Sequence, residues 1–337
     1  MKKIKIGIFG VGHNHGAAAI ETLRRDSRAE IVGLCEKDSA ILEKRLRENI
    51  SVYGDIPVMT EEELFGAGLD AAYVEASVPG LVPTALKCAE RGLHIHMDKP
   101  AGTDLDEYGR LLSLLKEKKL FFQTGYMYRY NAGIRYVLET VKSGKLGRIY
   151  NITAQMSTKH PAWFKKQLIG YGVKAPDMFI FGGHLIDLVM QIKGDPEKIH
   201  AFHAATGDDG IVFEDTSLAV LHYADGIATA RVSSAEVNGW GMREFTVYGE
   251  KGTVCVSPIE APMKIRESLL SESEPWKNRE HSVEIPACGR YEAMTEEFLS
   301  AVGGDAPYCV NFTHEYQLQK NTLLACGYKI KGEKYEF

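Results

Sequence analysis

The sequence predicts an α/β protein in which a doubly wound parallel sheet precedes an α+β domain with a largely antiparallel open sheet. Over residues 1–124, short apolar runs alternate with helical stretches, which is typical of parallel strands covered by helices on both faces. From about residue 147, strands follow one another without intervening helices, which indicates antiparallel pairing. The length of 337 residues exceeds what one hydrophobic core usually serves, so we expect two domains, 1–124 and 125–337.

The predicted elements follow in order along the chain. In the first domain the strands are KIKIGIFG, AEIVGLCE, LDAAYVEAS, LHIHM and LFFQTGY, and the helices are AAAIETLRR, SAILEKRLREN, PTALKCAERG and LDEYGRLLSLLKEKK. Pro83 stands near a first helical turn, where its missing N–H costs nothing, and Gly92 follows as a C-terminal cap. In the second domain the strands are GRIYNITAQMS, TSLAVLHY, IATARVSS, REFTVYG and TVCVS, and the closing helices are EAMTEEFLSAV and HEYQLQKNTLLACGY.

The first strand-to-helix turn, GVGHNHG, resembles a dinucleotide-binding turn. Gly10 permits the tight bend, and Gly12 lets the backbone approach a pyrophosphate at the helix N-terminus. The third glycine of the pattern comes one residue late, at Gly16. Glu36 closes the second strand, where a carboxylate hydrogen-bonds the ribose hydroxyls and repels a 2′-phosphate. The sequence therefore predicts NAD rather than NADP, although Lys37 is suited to a 2′-phosphate.

The stretch HIHMDKP, residues 94–100, admits two interpretations. In a strand, His94, His96 and Asp98 share one face, as three metal ligands would. An internal strand of this sheet meets helices on both faces, so the two histidines are better explained as core residues. Ligands bind beyond the carboxyl ends of the strands, where the Asp-Lys-Pro segment falls. The histidines of the glycine turn also suggest a metal, but their position favours contacts with the cofactor, and we predict no metal site.

These segments, in this order, resemble the Gfo/Idh/MocA family, the glucose–fructose oxidoreductase and inositol dehydrogenase group. HMDKPAGTDLDE resembles the V-x-E-K-P-x-A-x-T segment of the family, with Asp98 in place of Glu. QTGYMYRYNAG resembles its G-x-x-x-R-F-x-P stretch, and KSGKLGRIYNI resembles its entry into the second domain. GGHLIDLVMQIKGDP resembles H-x-x-D…W-x-x-G-x-P, with Gln191 in place of Trp. FTVYGEKGTV resembles a later I-x-G-x-x-G stretch, so the resemblance covers most of the chain.

The resemblance implies an NAD-dependent oxidoreductase that acts on a secondary alcohol of a sugar, polyol or related carbohydrate. It implies that Lys99 contacts the nicotinamide ribose and the reacting hydroxyl, and that the catalytic histidine is His184. A lysine ammonium stabilises a developing alkoxide, and a neutral imidazole accepts the proton. The predicted cofactor-binding residues are Gly10, Val11, Gly12, His13, Asn14, His15, Glu36, Ser77, Pro79, Asp98, Lys99 and Arg129.

One departure from the family pattern concerns the helix of His184. Many members carry an Asp four residues before this histidine, where it can hold the imidazole in one tautomer. Here that residue is Ile180. Asp187, three residues after His184, lies on the same helical face and could substitute, whereas Asp177 is roughly 10 Å away along a helix axis.

Three interpretations of this departure stay open. Asp187 or bound substrate orients His184, which we favour and which makes Asp187 the third catalytic candidate. Alternatively, the chemistry has changed, as in a glycosidase or lyase that uses tightly bound NAD transiently. In the third interpretation the protein binds NAD without catalysis, as a sensor or regulator does.

A long aromatic and basic segment, TKHPAWFKKQLIGYGVKAPD, suits a loop beside a substrate pocket. Aromatic rings stack on sugar faces, and lysines meet hydroxyls or carboxylates; ordinary loop packing is the alternative for each residue. The predicted substrate-binding residues are Tyr126, His160, Trp163, Tyr171, Lys174 and Trp240.

Charge and composition argue against several functions. A net charge of -5 and a pI near 6.2 give no reason to expect nucleic acid or an anionic membrane as partner. No apolar run reaches the roughly 18 residues of a membrane span, and the N-terminus is predicted to be a strand rather than a signal peptide. The six cysteines form no CxxC pair, which favours reduced thiols in a cytoplasm. The family resemblance implies a homodimer or homotetramer.

Overall fold

The computed structural model describes residues 3–271, 277–286, 288–305, 310–330, 335 and 337. The chain forms two units. The first comprises Met1–Met127, Gly289–Tyr316 and Glu333–Phe337, and the second comprises Tyr128–Cys288 and Gln317–Gly332. The predicted boundary at residue 124 lies close to the end of the first segment, but a later part of the chain returns to the first unit.

The first unit is built on a five-stranded parallel sheet in the order β2-β1-β3-β4-β5. Its strands are β1 (Ile4–Phe9), β2 (Ala29–Cys35), β3 (Ala71–Val74), β4 (His94–Met97) and β5 (Phe122–Thr124). The helices between them are α1 (Gly16–Arg24), α2 (Ser39–Glu48), α3 (Ile50–Tyr53), α4 (Glu61–Gly66), α5 (Leu81–Glu90) and α6 (Leu105–Glu117). The predicted parallel sheet is thus confirmed.

Two apolar clusters cover the two faces of this sheet. Ile6, Ile8 and Tyr73 belong to one cluster, and Phe9 and Val74 belong to the other, so alternate positions of one strand face opposite layers. A parallel sheet buried on both faces has this arrangement.

Local sequence signals set where several helices begin. The Asp38 side chain accepts hydrogen bonds from the first-turn N–H groups of α2. Thr60 and Glu63 form a capping box at the start of α4, and Asp104 caps α6. These side chains satisfy backbone donors that have no partner within their own helix.

The second unit contains an eight-stranded sheet in the order β13-β12-β11-β10-β6-β9-β8-β7. Its strands are β6 (Ile149–Ser157), β7 (Lys198–Ala204), β8 (Thr216–Tyr223), β9 (Gly226–Ser233), β10 (Glu244–Gly249), β11 (Gly252–Val256), β12 (Ile265–Leu270) and β13 (Asn278–Val283). The β6–β9 pair is parallel and the other pairs are antiparallel, which confirms the predicted largely antiparallel sheet. The sequence analysis missed β7, β12 and β13.

The helices of the second unit are α7 (Ala132–Lys142), α8 (Ala162–Gly170) and α9 (Gly183–Lys193). A π-helix, Met178–Gly182, runs directly into α9. The segment predicted as a pocket loop therefore contains a regular helix, α8, which the sequence analysis did not predict.

The helix α10 (Glu292–Gly303) belongs to the first unit, and α11 (Phe312–Ala325) follows it. The Phe298 ring packs edge-on against Tyr73 of β3, with centroids 5.1 Å apart. Arg28 also pairs with Glu296 at 2.5 Å. This packing holds α10, which is distant in sequence, against the parallel sheet.

No helix in the described ranges is both long enough and apolar enough to cross a membrane. Five cysteines are unpaired thiols: Cys35, Cys88, Cys255 and Cys326, which are buried, and Cys288, which is exposed. The sixth, Cys309, lies outside the described residues.

Candidate active site

The glycine turn packs directly against the segment that follows β3. Gly10 has a φ of 85°, and a Cβ there would lie 2.4 Å from the Cα of Ala76. A Cβ on Gly12 would lie 2.8 Å from the backbone nitrogen of Ser77. Both positions therefore require glycine for packing within the protein, and Ser77 lies beside the turn as a cofactor contact there would require.

The N-terminus of α1 is open to an anion. Its N-cap residue, His15, makes no side-chain cap hydrogen bond, and no acidic residue stands in the first turn. Backbone N–H groups and the helix dipole favour a negative group at such an end. The turn thus has the electrostatic character that a pyrophosphate needs.

Arg45, on α2, holds the glycine turn in place. Its guanidinium donates to the Gly12 carbonyl at 3.0 Å and to Oδ1 of Asn14 at 2.8 Å. The sequence analysis did not single out Arg45. No local pattern marks it, because it is 33 residues from Gly12 along the chain.

The Glu36 side chain lies beside the glycine turn. Its Oε2 accepts the Val11 N–H at 3.0 Å, and its Oε1 accepts the Asp38 N–H at 3.1 Å. The adjacent Lys37 extends to Glu61, with Nζ 2.8 Å from the carboxylate. The cation nearest in sequence to Glu36 is therefore engaged by another acid.

Lys99 and Asp98 lie at the carboxyl end of β4, each only 2% exposed. Oδ1 of Asp98 accepts the Lys99 N–H at 2.7 Å. The His13 ring, in the glycine turn, donates from Nε2 to the Lys99 carbonyl at 3.1 Å. The turn and the end of β4 thus form one hydrogen-bonded structure, which places both segments where parallel sheets bind ligands.

Both histidines of the glycine turn face the Asp98 carboxylate. Oδ2 of Asp98 lies 2.9 Å from Nδ1 of His13 and 3.4 Å from Nδ1 of His15. Burial alone would raise the pKa of Asp98, but the two histidines hold it well below its usual range. Burial lowers the pKa of His15 to about 4, against the opposing effect of Asp98.

A second buried carboxylate, Glu75, lies directly after β3 and is fully buried. Its Oε2 is 3.8 Å from Nδ1 of His13, and its Oε1 is 3.6 Å from Nε2 of His96. Burial, together with the nearby charge of Asp98, raises the pKa of Glu75 well above its usual value. The sequence analysis did not identify Glu75, which ends an apolar strand.

The two histidines of β4 have structural partners. The His96 ring is buried and stacks on Tyr73, with centroids 4.4 Å apart. His94 is partly buried, and its Nδ1 accepts the Phe121 N–H at 2.9 Å. His96 therefore lies in the core, as expected, whereas His94 lies at its margin.

In the second unit, His184 and Asp187 lie on α9 and are 2% and 1% exposed. The His184 ring meets Tyr128 edge-on, with centroids 5.0 Å apart. Arg129 binds Asp187 through two hydrogen bonds, Nε to Oδ2 at 2.8 Å and Nη2 to Oδ1 at 2.9 Å. Gln191 donates to the same Oδ2 at 3.1 Å.

The predicted substrate residues differ in their surroundings. His160 is stacked on Phe181, with centroids 5.2 Å apart, and burial, with Arg243 and Lys165 nearby, lowers its pKa to about 4. Trp163, on α8, is 63% exposed. Trp240 is 44% exposed, and the Arg243 guanidinium covers its ring at 3.9 Å.

The remaining substrate candidates make local contacts. The Tyr171 hydroxyl accepts from Gln167 at 3.0 Å. The Lys174 ammonium lies over the Tyr328 ring, 5.3 Å from its centroid. Tyr126 belongs to the first unit and is buried, and Pro79 lies in a short 3₁₀ helix, Val78–Gly80.

Residues 4–126 match the oxidoreductase family with an NAD-binding Rossmann fold, and residues 134–255 match the GFO/IDH/MocA C-terminal domain. The chain belongs to the Gfo/Idh/MocA family. It is an oxidoreductase of that family with an NAD(P)-binding Rossmann domain. The order of motifs along the chain predicted this assignment.

Named relatives include enzymes of sugars and polyols. A D-xylose 1-dehydrogenase (NADP(+)) of Haloferax volcanii is 23% identical over 68% of each chain. An inositol 2-dehydrogenase/D-chiro-inositol 3-dehydrogenase of Lacticaseibacillus casei is 30% identical over 43% of this chain and 42% of its own. The crystal structure of UDP-N-acetylglucosamine 3-dehydrogenase from Acidithiobacillus ferrooxidans shares the fold, with a TM-score of 0.78, 16% identity, and coverage of 97% and 98%.

The π-helix changes the argument about the missing family aspartate. In one regular α-helix over residues 177–187, Ile180 and His184 would lie on the same face, but Met178–Gly182 is a π-helix. A π-helix shifts the faces of the residues before it relative to those after it. Ile180 and His184 are therefore not separated by one regular α-helical turn, whereas Asp187 and His184 both lie within regular α9.

Asp177, just before the π-helix, is fully buried. Burial raises the pKa of its carboxyl to about 7, and the neighbouring Asp215 adds to the shift. The seven-residue separation in the sequence suggested only that Asp177 is too far from His184 for direct contact. It did not indicate that Asp177 is buried.

Proposed function

We propose that the protein is an NAD-dependent dehydrogenase that oxidises a secondary alcohol of a sugar, polyol or related carbohydrate, or catalyses the reverse reduction. The observation that supports this best is the burial of Lys99 at the carboxyl end of β4, where it is 2% exposed. Lysine is rarely buried so deeply, and parallel sheets bind their ligands at this edge. The named relatives, which act on xylose, inositol and a nucleotide sugar, point to the same substrate class.

The residues of the first unit fit a bound nicotinamide dinucleotide. The uncapped N-terminus of α1 suits its pyrophosphate, and Glu36 suits its ribose hydroxyls. Lys37, which could otherwise attract a 2′-phosphate, pairs with Glu61. These features favour NAD over NADP, in contrast to the NADP(+) named for the Haloferax volcanii relative.

The roles of the reacting residues follow from their chemistry. The bound cofactor supplies the hydride acceptor. In this proposal the Lys99 ammonium stabilises negative charge on the substrate oxygen as the hydroxyl loses its proton, and His184 accepts that proton. The fork from Arg129 holds Asp187 on the α9 face that also carries His184. In this proposal Asp187 is a positioning residue for the imidazole.

Formation of NADH with a panel of sugars, polyols and glycosides tests this proposal. We expect steady NADH formation with at least one substrate, and a loss of roughly 10²–10⁴-fold in kcat in His184→Asn and Lys99→Met. Lys116→Met and His222→Asn change exposed residues of the same types and should retain full activity.

Two results would contradict the dehydrogenase. NADH that never exceeds one equivalent per subunit while substrate continues to be consumed would indicate a lyase or glycosidase that reoxidises its own cofactor. Tight NAD binding without reduction by any member of the panel would indicate a sensor.

A further inference from the structure

A cluster of metal-ligating side chains lies at the carboxyl end of β4, within the first unit. One donor atom each of His13, His15 and Asp98 lies within 4.8 Å of the others. Oδ2 of Asp98 is the common neighbour, 2.9 Å from one imidazole Nδ1 and 3.4 Å from the other. Four ligands around a tetrahedral zinc ion, with bonds of about 2.0–2.2 Å, lie about 3.4 Å apart. The two distances from Oδ2 of Asp98 are close to that spacing.

The hydrogen bonds of His13 determine which of its nitrogens carries the proton. Nε2 lies 3.1 Å from the Lys99 carbonyl, which can only accept, so Nε2 is the protonated nitrogen. Nδ1 accepts the His15 N–H at 3.2 Å. Nδ1 faces a carboxylate oxygen at 2.9 Å, so either a second proton or a metal ion must lie between these two atoms. A metal-binding histidine usually donates its other ring N–H to a carboxylate, a backbone carbonyl or water, as His13 donates to the Lys99 carbonyl.

Glu75 supplies an independent indication of a ligand. It is fully buried, and neither carboxylate oxygen has a hydrogen-bond partner among the residues described. Its Oε2 lies 3.8 Å from Nδ1 of His13, which is one of the three donor atoms of the cluster. A buried carboxyl group without hydrogen bonds is costly unless a proton or a cation neutralises it.

His96 does not supply that compensation. The Gln123 amide donates through Nε2 to the Met294 carbonyl and to Glu297, so its Oε1 faces His96 at 2.9 Å. His96 consequently carries its proton on Nδ1, and its Nε2 turns a lone pair towards Glu75 at 3.6 Å. His96 therefore gives Glu75 neither a proton nor a hydrogen bond.

We infer that the first unit binds a divalent transition-metal ion, zinc, through Nδ1 of His13, Nδ1 of His15, Oδ2 of Asp98 and a carboxylate oxygen of Glu75. Two imidazoles and two carboxylates form a ligand set that suits zinc. His13, His15 and Asp98 form the compact group, and Glu75 would complete the four positions by a movement of its side chain. With four protein ligands the site is structural. The ion would join the glycine turn to the ends of β3 and β4 and would fix the backbone of Lys99. This proposal differs from the sequence prediction of no metal site.

Metal binding to the full chain, stripped with a chelator and dialysed, tests the site directly. Zinc titration by calorimetry should give one ion per chain. Cobalt, used as a spectroscopic substitute, should give the intense visible bands of four-coordinate cobalt. Zinc should also raise the melting temperature. None of these measurements depends on NAD or on a substrate, so the site is tested separately from the proposed dehydrogenase.

Three substitutions remove single ligands. We expect His15→Ala, Asp98→Asn and Glu75→Gln to weaken zinc binding by at least tenfold, because altering even the supporting residues of a metal site typically costs 10–100-fold in affinity. His222→Ala removes an exposed histidine of β8 and serves as the matched control. Far-UV circular dichroism checks that each variant is folded, and the wild-type cobalt spectrum tests the site even if a variant fails to fold.

The outcomes are distinct. One zinc ion per chain, bound at least tenfold more weakly by the three ligand variants and equally tightly by the control, would support the site. Wild-type binding no tighter than that of His15→Ala, or a wild-type cobalt spectrum of the six-coordinate aqueous ion, would overturn it. Zinc binding that disappears in His222→Ala would place the ion elsewhere and would also overturn it.

Discussion

Arg129 binds the buried carboxylate of Asp187 through two guanidinium nitrogens, Nε at 2.8 Å and Nη2 at 2.9 Å. From the sequence we predicted two separate roles: Arg129 binds the cofactor, and Asp187 orients His184. The structure joins them across 58 residues of chain. Because an arginine fork fixes the plane of a carboxylate, the pair gives α9 a rigid acid on the face of His184.

Breaking this pair should destabilise the second unit. Arg129→Ala leaves a buried carboxylate without its charge partner, and we expect the free energy of unfolding to fall by about 3–5 kcal/mol in urea. Arg148→Ala breaks an exposed pair with Glu250 and should cost less than about 1 kcal/mol. Equal effects of the two substitutions would show that burial does not strengthen the Arg129 pair.

Replacing Glu36 should weaken the preference for NAD. Glu36→Ser removes the carboxylate expected to bind the ribose hydroxyls, and charge-assisted hydrogen bonds are worth about 1.5–3 kcal/mol. The ratio of kcat/KM with NAD to kcat/KM with NADP should fall by roughly tenfold or more. Lys37→Ala should leave that ratio unchanged, since Lys37 is already paired with Glu61. A larger effect from Lys37 would argue for NADP as the natural cofactor.

His160 should make the protein less stable in mild acid. Its pKa is about 4 when folded and 6.5 in the unfolded chain, so between these values the unfolded state binds more protons. Stability should decline as pH falls from 6.5 to 4, by at most about 1.4 kcal/mol per pH unit from this group. His160→Gln should flatten the profile over that range. His222→Gln, at an exposed position, should leave it unchanged.

Asp177 should have the opposite dependence. Its pKa rises from 3.8 to about 7 on folding, so between these values the folded state binds more protons. The contribution of Asp177 to stability is therefore lost as pH rises from 3.8 to 7. Relative to the wild type, Asp177→Asn should gain stability over this range, by up to about 1.4 kcal/mol per pH unit. A constant difference between pH 4 and 8 would show that the carboxyl titrates normally.

Two glycines should respond in opposite directions to alanine. A Cβ on Gly12 would lie 2.8 Å from the Ser77 nitrogen, so Gly12→Ala should distort the turn and weaken NAD binding. A Cβ on Gly170, in α8, meets nothing within 4 Å. Gly170→Ala should raise the unfolding free energy by about 0.5–1 kcal/mol and leave NAD binding unchanged. Unchanged NAD affinity in Gly12→Ala would mean that Ser77 moves aside without consequence.

Local patterns alone predicted several features of this protein. The alternation of apolar runs and helices predicted the parallel sheet, because hydrophobic period and length report secondary structure directly. The glycine turn and Glu36 follow their strands at fixed short spacings, and the Asp-Lys-Pro segment necessarily falls at a strand end. Such features depend on neighbours along the chain, and a single sequence contains them.

Only the tertiary structure decided which distant side chains meet. In the sequence, Glu75 is only the residue that ends an apolar strand. It approaches His13 because β1 and β3 are neighbours in the parallel sheet. The π-helix before α9 changes a helical spacing that the sequence suggests is regular. The return of α10 to the first unit likewise depends on packing against β3. Contacts of this kind depend on three-dimensional packing across long stretches of chain, so no periodicity or spacing in the sequence contains them.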